Sequence, residues 1–231
     1  MAMISDLASF FATYEENWAS WWPQLLPAIW VTIKLTAASF LLALAIGFLL
    51  ALGKLSRNRL LRAFATGYVE LARGIPALAI LFILYFGLLP VGIVLDAFVA
   101  GFIGLGMSGG GYFAEVFRAG ILAVHKGQRE AAASVGMTPF TSFRWIILPQ
   151  AMRVILPPMM NLFISLLKDT SLCSLITAPE LMLRAKDLAM MSFLPMHLFV
   201  LAGALYFLLA WPMSLLARHF ERRMRRGYRA G

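Results

Sequence analysis

Charge is scarce in this chain. Lysine, arginine, aspartate and glutamate together make up 13% of its 231 residues, about half the share found in ordinary soluble domains. A self-standing water-soluble globule is therefore excluded as the default. One cysteine, Cys173, is present, which rules out an internal disulfide and a thiolate metal cluster and leaves a small packing role. No lysine precedes Ser or Thr: Lys34, Lys54, Lys126, Lys168 and Lys186 are followed by Leu, Leu, Gly, Asp and Asp. The G-x-x-x-x-G-K-[ST] phosphate loop is thus missing. H-E-x-x-H and G-x-S-x-G are missing too, and His125, His197 and His219 stand apart from one another. The chain is expected to be no enzyme and to hold no cofactor or metal of its own. Its first 24 residues carry Asp6, Glu15 and Glu16 but no Lys or Arg, so a cleaved signal peptide, which needs a basic start, is not expected.

What the chain has in abundance is apolar sequence: 61% of its residues are hydrophobic and its mean hydropathy is +0.81. Five stretches, about 25–53, 64–87, 97–123, 142–168 and 194–217, reach the ~20 residues that carry a helix across ~30 Å of hydrocarbon. They do not alternate as barrel strands do. The fold class is an all-α polytopic membrane protein with five transmembrane helices. The formal charge of +9 is not spread over a nucleic-acid-binding face, because the basic residues cluster in short segments beside the spans. "KLSRNRLLR" holds Lys54, Arg57, Arg59 and Arg62, and "RHFERRMRRGYRAG" holds six arginines against Glu221. Positive flanks stay in the cytoplasm. Five spans satisfy both segments with the N-terminus outside and the C-terminus inside, which places residues 124–141 inside as well. Phe11, Tyr14, Trp18, Trp21 and Trp22 recur at helical spacing before Pro23, so residues 1–23 read as a short helix on the outer interface. Residues 24–220 form the membrane domain and 221–231 a basic tail.

Between the third and fourth spans lies "KGQREAAASVGMTPFTSFRWIILPQ", residues 126–150. The alanines favour a helix with a smooth surface, and Gly136 can take the left-handed conformation that ends one. Thr138 can cap a second helix that begins at Pro139. These properties suit a docking element and an ordinary polar loop equally well. The order E-A-A, three residues, G, ten residues, I-L-P resembles the EAA loop in permease subunits of bacterial ABC importers. "YVELARGIPALAILFILYFGL", "FAEVFRAGI", "KGQREAAASVGM" and "ILPQAMRVILPPMMNLFISLLKDTSL" resemble the permeases of the polar amino-acid family, which take histidine, arginine, lysine, glutamate, glutamine or opines. The likeness runs over about residues 24–220.

That resemblance implies the type I importer (MetI-like) permease fold in a bacterial inner membrane, multi-pass and in contact with lipid. It implies a second permease subunit, identical or related, two cytoplasmic ATPases carrying the ATP and Mg, and an external solute-binding protein that delivers a polar amino acid. It gives the region 124–149 the task of coupling, through Glu130, Ala131, Ala132 and Gly136 with Lys126, Gln128 and Arg129 as flanking contacts.

Ionisable residues at membrane depth are costly and are functional candidates by default. Glu70 with Arg73, and Glu115 with Arg118, each stand three residues apart on one helix face and can neutralise one another. Counted along their helices, Glu70 lies ~12 Å from Arg62 and Glu115 ~16 Å from Lys126. Gly74 and Pro76 should break the second span, and "GMSGGG" at 106–111 should loosen the third. Broken helices expose backbone donors and acceptors to polar cavities, as binding an amino acid's carboxylate and ammonium requires. In the fourth span Pro157-Pro158 should kink the helix, and Asn161, Ser165 and Lys168 or Asp169 recur on roughly one face that can line a path, with Lys168 and Asp169 at its outer mouth. Each set can equally serve to hold helices together, and the residues alone leave both roles open. An ion-coupled secondary transporter is the alternative function, with intramembrane carboxylates carrying protons. The span count and the docking motif speak against it.

Overall fold

The computed structural model describes the backbone of residues 2–228 and the side chains of residues 9–222. Asp6 and the arginines beyond Arg222 fall outside the described side chains. The regular elements are α1 Ala2–Leu55, α2 Arg59–Gly74, α3 Ala77–Tyr85, α4 Ala97–Leu122, α5 Lys126–Ser134, α6 Pro139–Ser142, α7 Leu148–Asp169, α8 Leu181–Ser192 and α9 Pro195–Tyr228. A π-helical segment, Phe143–Ile147, joins α6 to α7, and a 3-10 segment, Thr170–Ile176, follows α7. Among the described residues no strand occurs. Four helical stretches are long and apolar enough to cross a membrane, and a fifth crossing arises when α2 and α3 are counted together across a 99° bend.

That bend follows from two residues. Pro76 excludes the helical conformation at the residue before it, and Ile75 is extended at φ −92°, ψ 129°. Pro76 itself has no N–H to donate and sits at φ −56°, ψ 136°. The helix stops at Gly74 and restarts at Ala77, as the Gly74 and Pro76 pattern predicts.

Two expectations need correction. The aromatic segment before Pro23 is no separate helix, because α1 continues through Pro23 and Pro27. These prolines lie four residues apart on one exposed face, so the carbonyls they leave unpaired fall on the same open side. The segment is fastened to α9 instead: the Tyr14 hydroxyl donates to the His197 carbonyl at 2.9 Å, Phe10 stacks on His197 at 4.2 Å, and Trp21 is buried. Second, "GMSGGG" does not loosen α4, which is continuous. A Cβ on Gly106 would stand 2.7 Å from Leu42, and one on Gly110 would stand 2.6 Å from Ile46. These glycines let the Leu42 and Ile46 side chains of α1 seat directly on the α4 main chain, and at Gly47 of α1, where a Cβ would stand 2.9 Å from the Ala114 nitrogen, the two main chains themselves come close, the use small residues have where helices meet in lipid. In the fourth span, α7 carries Pro157 and Pro158 within a continuous helix.

The glycine contacts also fix directions. Gly101, Gly106 and Gly110 of α4 meet Leu35, Leu42 and Ile46 of α1 in ascending order, so the two run parallel. Gly120, Gly109 and Gly101 meet Ile155, Leu166 and Cys173, so α7 runs antiparallel to α4. Gly111 and Gly104 meet Ala72 and Leu81, so α2 and α3 also oppose α4. The basic loop after α1 and the short helix α5 therefore lie at one end of the bundle, with α8 at the other.

At the α8 end a fully buried carboxylate does the fastening. Glu180 accepts from the Met182 and Leu183 amides at 2.9 and 2.8 Å, capping α8, and the Tyr206 hydroxyl of α9 donates to it. The next amide, Leu181, donates to the Thr32 hydroxyl of α1 at 3.1 Å. Burial pushes the Glu180 carboxyl above the usual carboxylate range.

Candidate functional site

An open cavity of about 420 Å³ lies where the α2/α3 break faces α4 and α7. Arg73, Gly74, Ile75, Pro76 and Ala77 line it from the break, Ser108, Gly109 and Tyr112 from α4, and Leu162, Ser165 and Asp169 from α7. Each side chain arrives there for a local reason. Arg73 is in the last turn of α2, and its guanidinium lies 5.7 Å from the centre of the Tyr112 ring, a cation–π distance. Ser108 and Tyr112 are four residues apart on α4, and Ser165 and Asp169 four apart on α7, so each pair shares a face. Pro76 supplies no side-chain cap for α3. The amides of Ala77 and Leu78 precede the first bonds of that helix, in which Ala79 and Ile80 donate to the Pro76 carbonyl at 2.9 and 3.3 Å. The break therefore brings the positive end of α3 and the negative end of α2 to one wall. Among the described residues neither Arg73 nor Asp169 belongs to an ion pair. The cavity thus presents one cation, one anion, hydroxyls and helix-end amides to a small molecule.

Residues 43–226 match the family described as "Binding-protein-dependent transport system inner membrane component". The chain belongs to that family. It is similar to the L-cystine transport system permease protein TcyB of Bacillus subtilis, at 38% identity over 90% of this chain and 89% of that one. It is likewise similar to the nopaline transport system permease protein NocM of Agrobacterium fabrum, at 34% over 84% and 85%. A crystal structure of an amino acid ABC transporter with histidines superposes with a TM-score of 0.83 at 34% identity, covering 90% of this chain and 97% of that one. An inward-facing structure of the MetNI methionine ABC transporter shares the fold, with a TM-score of 0.69 at 20% identity over 85% and 96%.

In this permease the expected charge pairs part company. Glu70 is exposed and makes no ion pair among the described residues; Arg73 turns to Tyr112 and the cavity instead. Glu115 does pair with Arg118, whose Nη2 and Nε donate to it at 2.7 and 3.0 Å, and it also accepts from Lys54 Nζ at 2.5 Å. Lys54 belongs to the last turn of α1 and reaches Glu115 from that helix end. This triad clamps α1 to α4 and does not line the cavity. On α7 the expected single face divides. Ser165 and Asp169 line the cavity, Asn161 is exposed without lining it, and Lys168 faces a separate groove beside Tyr206 and Trp211 of α9.

The α5 end carries a second candidate surface. Val135 caps α5, Gly136 follows at φ 75°, and the Gly136 and Met137 amides donate to the Ala133 and Ala132 carbonyls, each at 3.0 Å. This is a Schellman ending. Thr138 Oγ1 then accepts from the Thr141 amide at 3.2 Å and α6 opens on Pro139, as the sequence predicts. Ala132 is buried, whereas Lys126, Glu130, Ala131 and Gly136 are exposed. The flanking residues face inward as well as out. Arg129 Nη2 donates to the Ile121 carbonyl of α4 at 3.0 Å, and Gln150 of α7 donates to Gln128 at 3.3 Å.

Sequence reasoning missed Ser108, Tyr112 and Lys54. The i, i+4 spacing of Ser108 and Tyr112 was a usable signal, whereas the reach of Lys54 to Glu115 across 61 positions was not. It also missed Val135, Phe140 and Trp145, large apolar side chains 75%, 77% and 64% exposed in an otherwise polar segment, where they stand out.

Proposed function

We propose that this permease forms half of an ATP-driven amino-acid import route, with the α2/α3 cavity as its transient substrate site and α5 as the lever that receives the ATPase stroke. One observation supports the cavity role above the rest: Arg73 and Asp169 face a single small-molecule-sized space without ion partners. Unpaired charge in a membrane protein is tolerated where it meets water or substrate. Arg73 and the α3 amides suit a carboxylate, and Asp169 suits an ammonium. The name of the relative that transports cystine is in keeping with an amino acid as substrate.

The remaining parts follow from the family. A second permease, identical or related, completes the path, and a solute-binding protein delivers substrate on the α8 side, which faces outward by the charge distribution. On the cytoplasmic side two ATPases hold ATP and Mg and receive α5, whose exposed Glu130, Ala131 and neighbouring Val135 and Phe140 form the docking face. The Schellman ending and Thr138 cap make this corner stiff enough to pass on a displacement. Of the carboxylates that the ion-coupled alternative invokes, Glu115 is already held by Lys54 and Arg118.

The test is uptake by proteoliposomes containing the assembled complex and its binding protein. Uptake should require ATP inside, ignore a proton uncoupler, and fall at least tenfold in Arg73→Gln and Asp169→Asn. Uncoupler-sensitive uptake without ATP refutes the assignment.

A further inference from the structure

The charge content of the cavity narrows the substrate class. We infer that the site accepts amino acids with neutral side chains and disfavours both basic and acidic ones; this inference rests on the cavity being the substrate site. Arg73 and Asp169 are the charged residues among its lining side chains. A bound zwitterion engages both, its carboxylate at Arg73 and its ammonium at Asp169, and leaves no charge over. What remains for the side chain is uncharged: the Ser108 and Ser165 hydroxyls, the Tyr112 ring, and apolar walls that include Leu105 and Leu162.

A third charge on the ligand would enter this surrounding without a counter-ion. Desolvating an unpaired ion is far costlier than desolvating a hydroxyl or an amide, so rejection arises from what the wall lacks. Other charges of the protein do not offset this. Glu115 is engaged by Lys54 and Arg118, Lys168 faces the α9 groove, and Glu70 does not line the cavity. Both hydroxyls can donate and accept, so a side-chain amide or hydroxyl is matched where a carboxylate or guanidinium is not. Specificity of this kind is a difference between affinities and needs only the unpaired group to be disfavoured.

The experiment uses the assembled permease and ATPase complex in nanodiscs without the binding protein, so that selectivity belongs to the membrane part. Displacement of radiolabelled glutamine is measured with unlabelled serine, leucine, glutamate and lysine. Neutral competitors should displace it at least tenfold more effectively than glutamate or lysine. Glutamate or lysine competing as well as serine overturns the inference while leaving the site in place. Failure of every amino acid to bind at millimolar concentration, with the complex intact by size exclusion, overturns the site itself and the inference with it. Ser165→Asp supplies a gain of function: it should raise the affinity for lysine relative to glutamine at least tenfold. An unchanged lysine-to-glutamine ratio in that variant, with the complex intact by size exclusion, also overturns the inference.

Discussion

Gly136 offers the sharpest test of the lever. It holds φ 75°, and nothing lies within 4 Å of where a Cβ would be. Replacement by alanine therefore meets no steric neighbour, and its cost is that of the left-handed backbone alone, ~1–2 kcal/mol. Such a penalty shifts the balance between bent and unbent forms by roughly 5–30-fold. Asparagine, which visits this region more readily, should cost less. Proline fixes φ near −65°, about 140° away from the native value, and deletes the amide that donates to Ala133 at 3.0 Å. The corner cannot form. The assay is ATP hydrolysed per substrate imported in proteoliposomes, alongside permease content per vesicle. Coupled uptake should fall in the order Gly, Asn, Ala, Pro, with Gly136→Pro inserted at normal levels yet hydrolysing ATP without import. Wild-type uptake and stoichiometry in Gly136→Pro refute the lever. An asparagine variant as poor as proline refutes the backbone explanation.

Other consequences concern stability and docking. Because the folded state holds the Glu180 proton to higher pH than the unfolded chain does, stability should decline as pH rises from the ordinary carboxyl value to the raised one. Glu180→Gln should flatten that decline in thermal unfolding measured at stepped pH, and an unchanged slope counts against it. A Cβ on Gly120 would lie 2.3 Å from Ile155, so Gly120→Ala should destabilise by ~1–3 kcal/mol, with part recovered on adding Ile155→Ala; strict additivity in the double variant argues against the contact. Arg129→Ala removes the bond to Ile121, a loss of ~1 kcal/mol. Uptake should fall about fivefold with ATPase binding retained in pull-down, whereas lost binding marks Arg129 as a direct contact.

Much of this molecule was legible because its signals are local. A proline needs only its neighbour to break a helix, so the Gly74-Ile75-Pro76 interruption could be read directly, and the Gly136, Thr138 and Pro139 corner likewise depends on adjacent residues. Span number follows from hydropathy, which needs no partner either. The failures share the opposite cause. "GMSGGG" suggests looseness until Leu42 and Ile46 are seen pressed against it, and glycine in isolation does not declare which of its two uses applies. Glu70 and Arg73 satisfy the i, i+3 rule, but Tyr112 on another helix offers the guanidinium a better surface. Lys54 reads as an orientation signal, and only the parallel register of α1 with α4 turns it toward Glu115. Asn161, Ser165, Lys168 and Asp169 show a coarser limit: a 100° step between Lys168 and Asp169 sends neighbours to different grooves.

The glycine seam between α1 and α4 has a mechanical corollary. Two helices interlocked through glycines on both, stitched further by Lys54 and Glu115, cannot slide or roll past each other without collision, so together they act as a stator. In the proposed import cycle, displacement then falls to the parts that lack such a seam: the break at Ile75, the proline-bearing α7 that carries Ser165 and Asp169, and the α5 corner proposed to drive it.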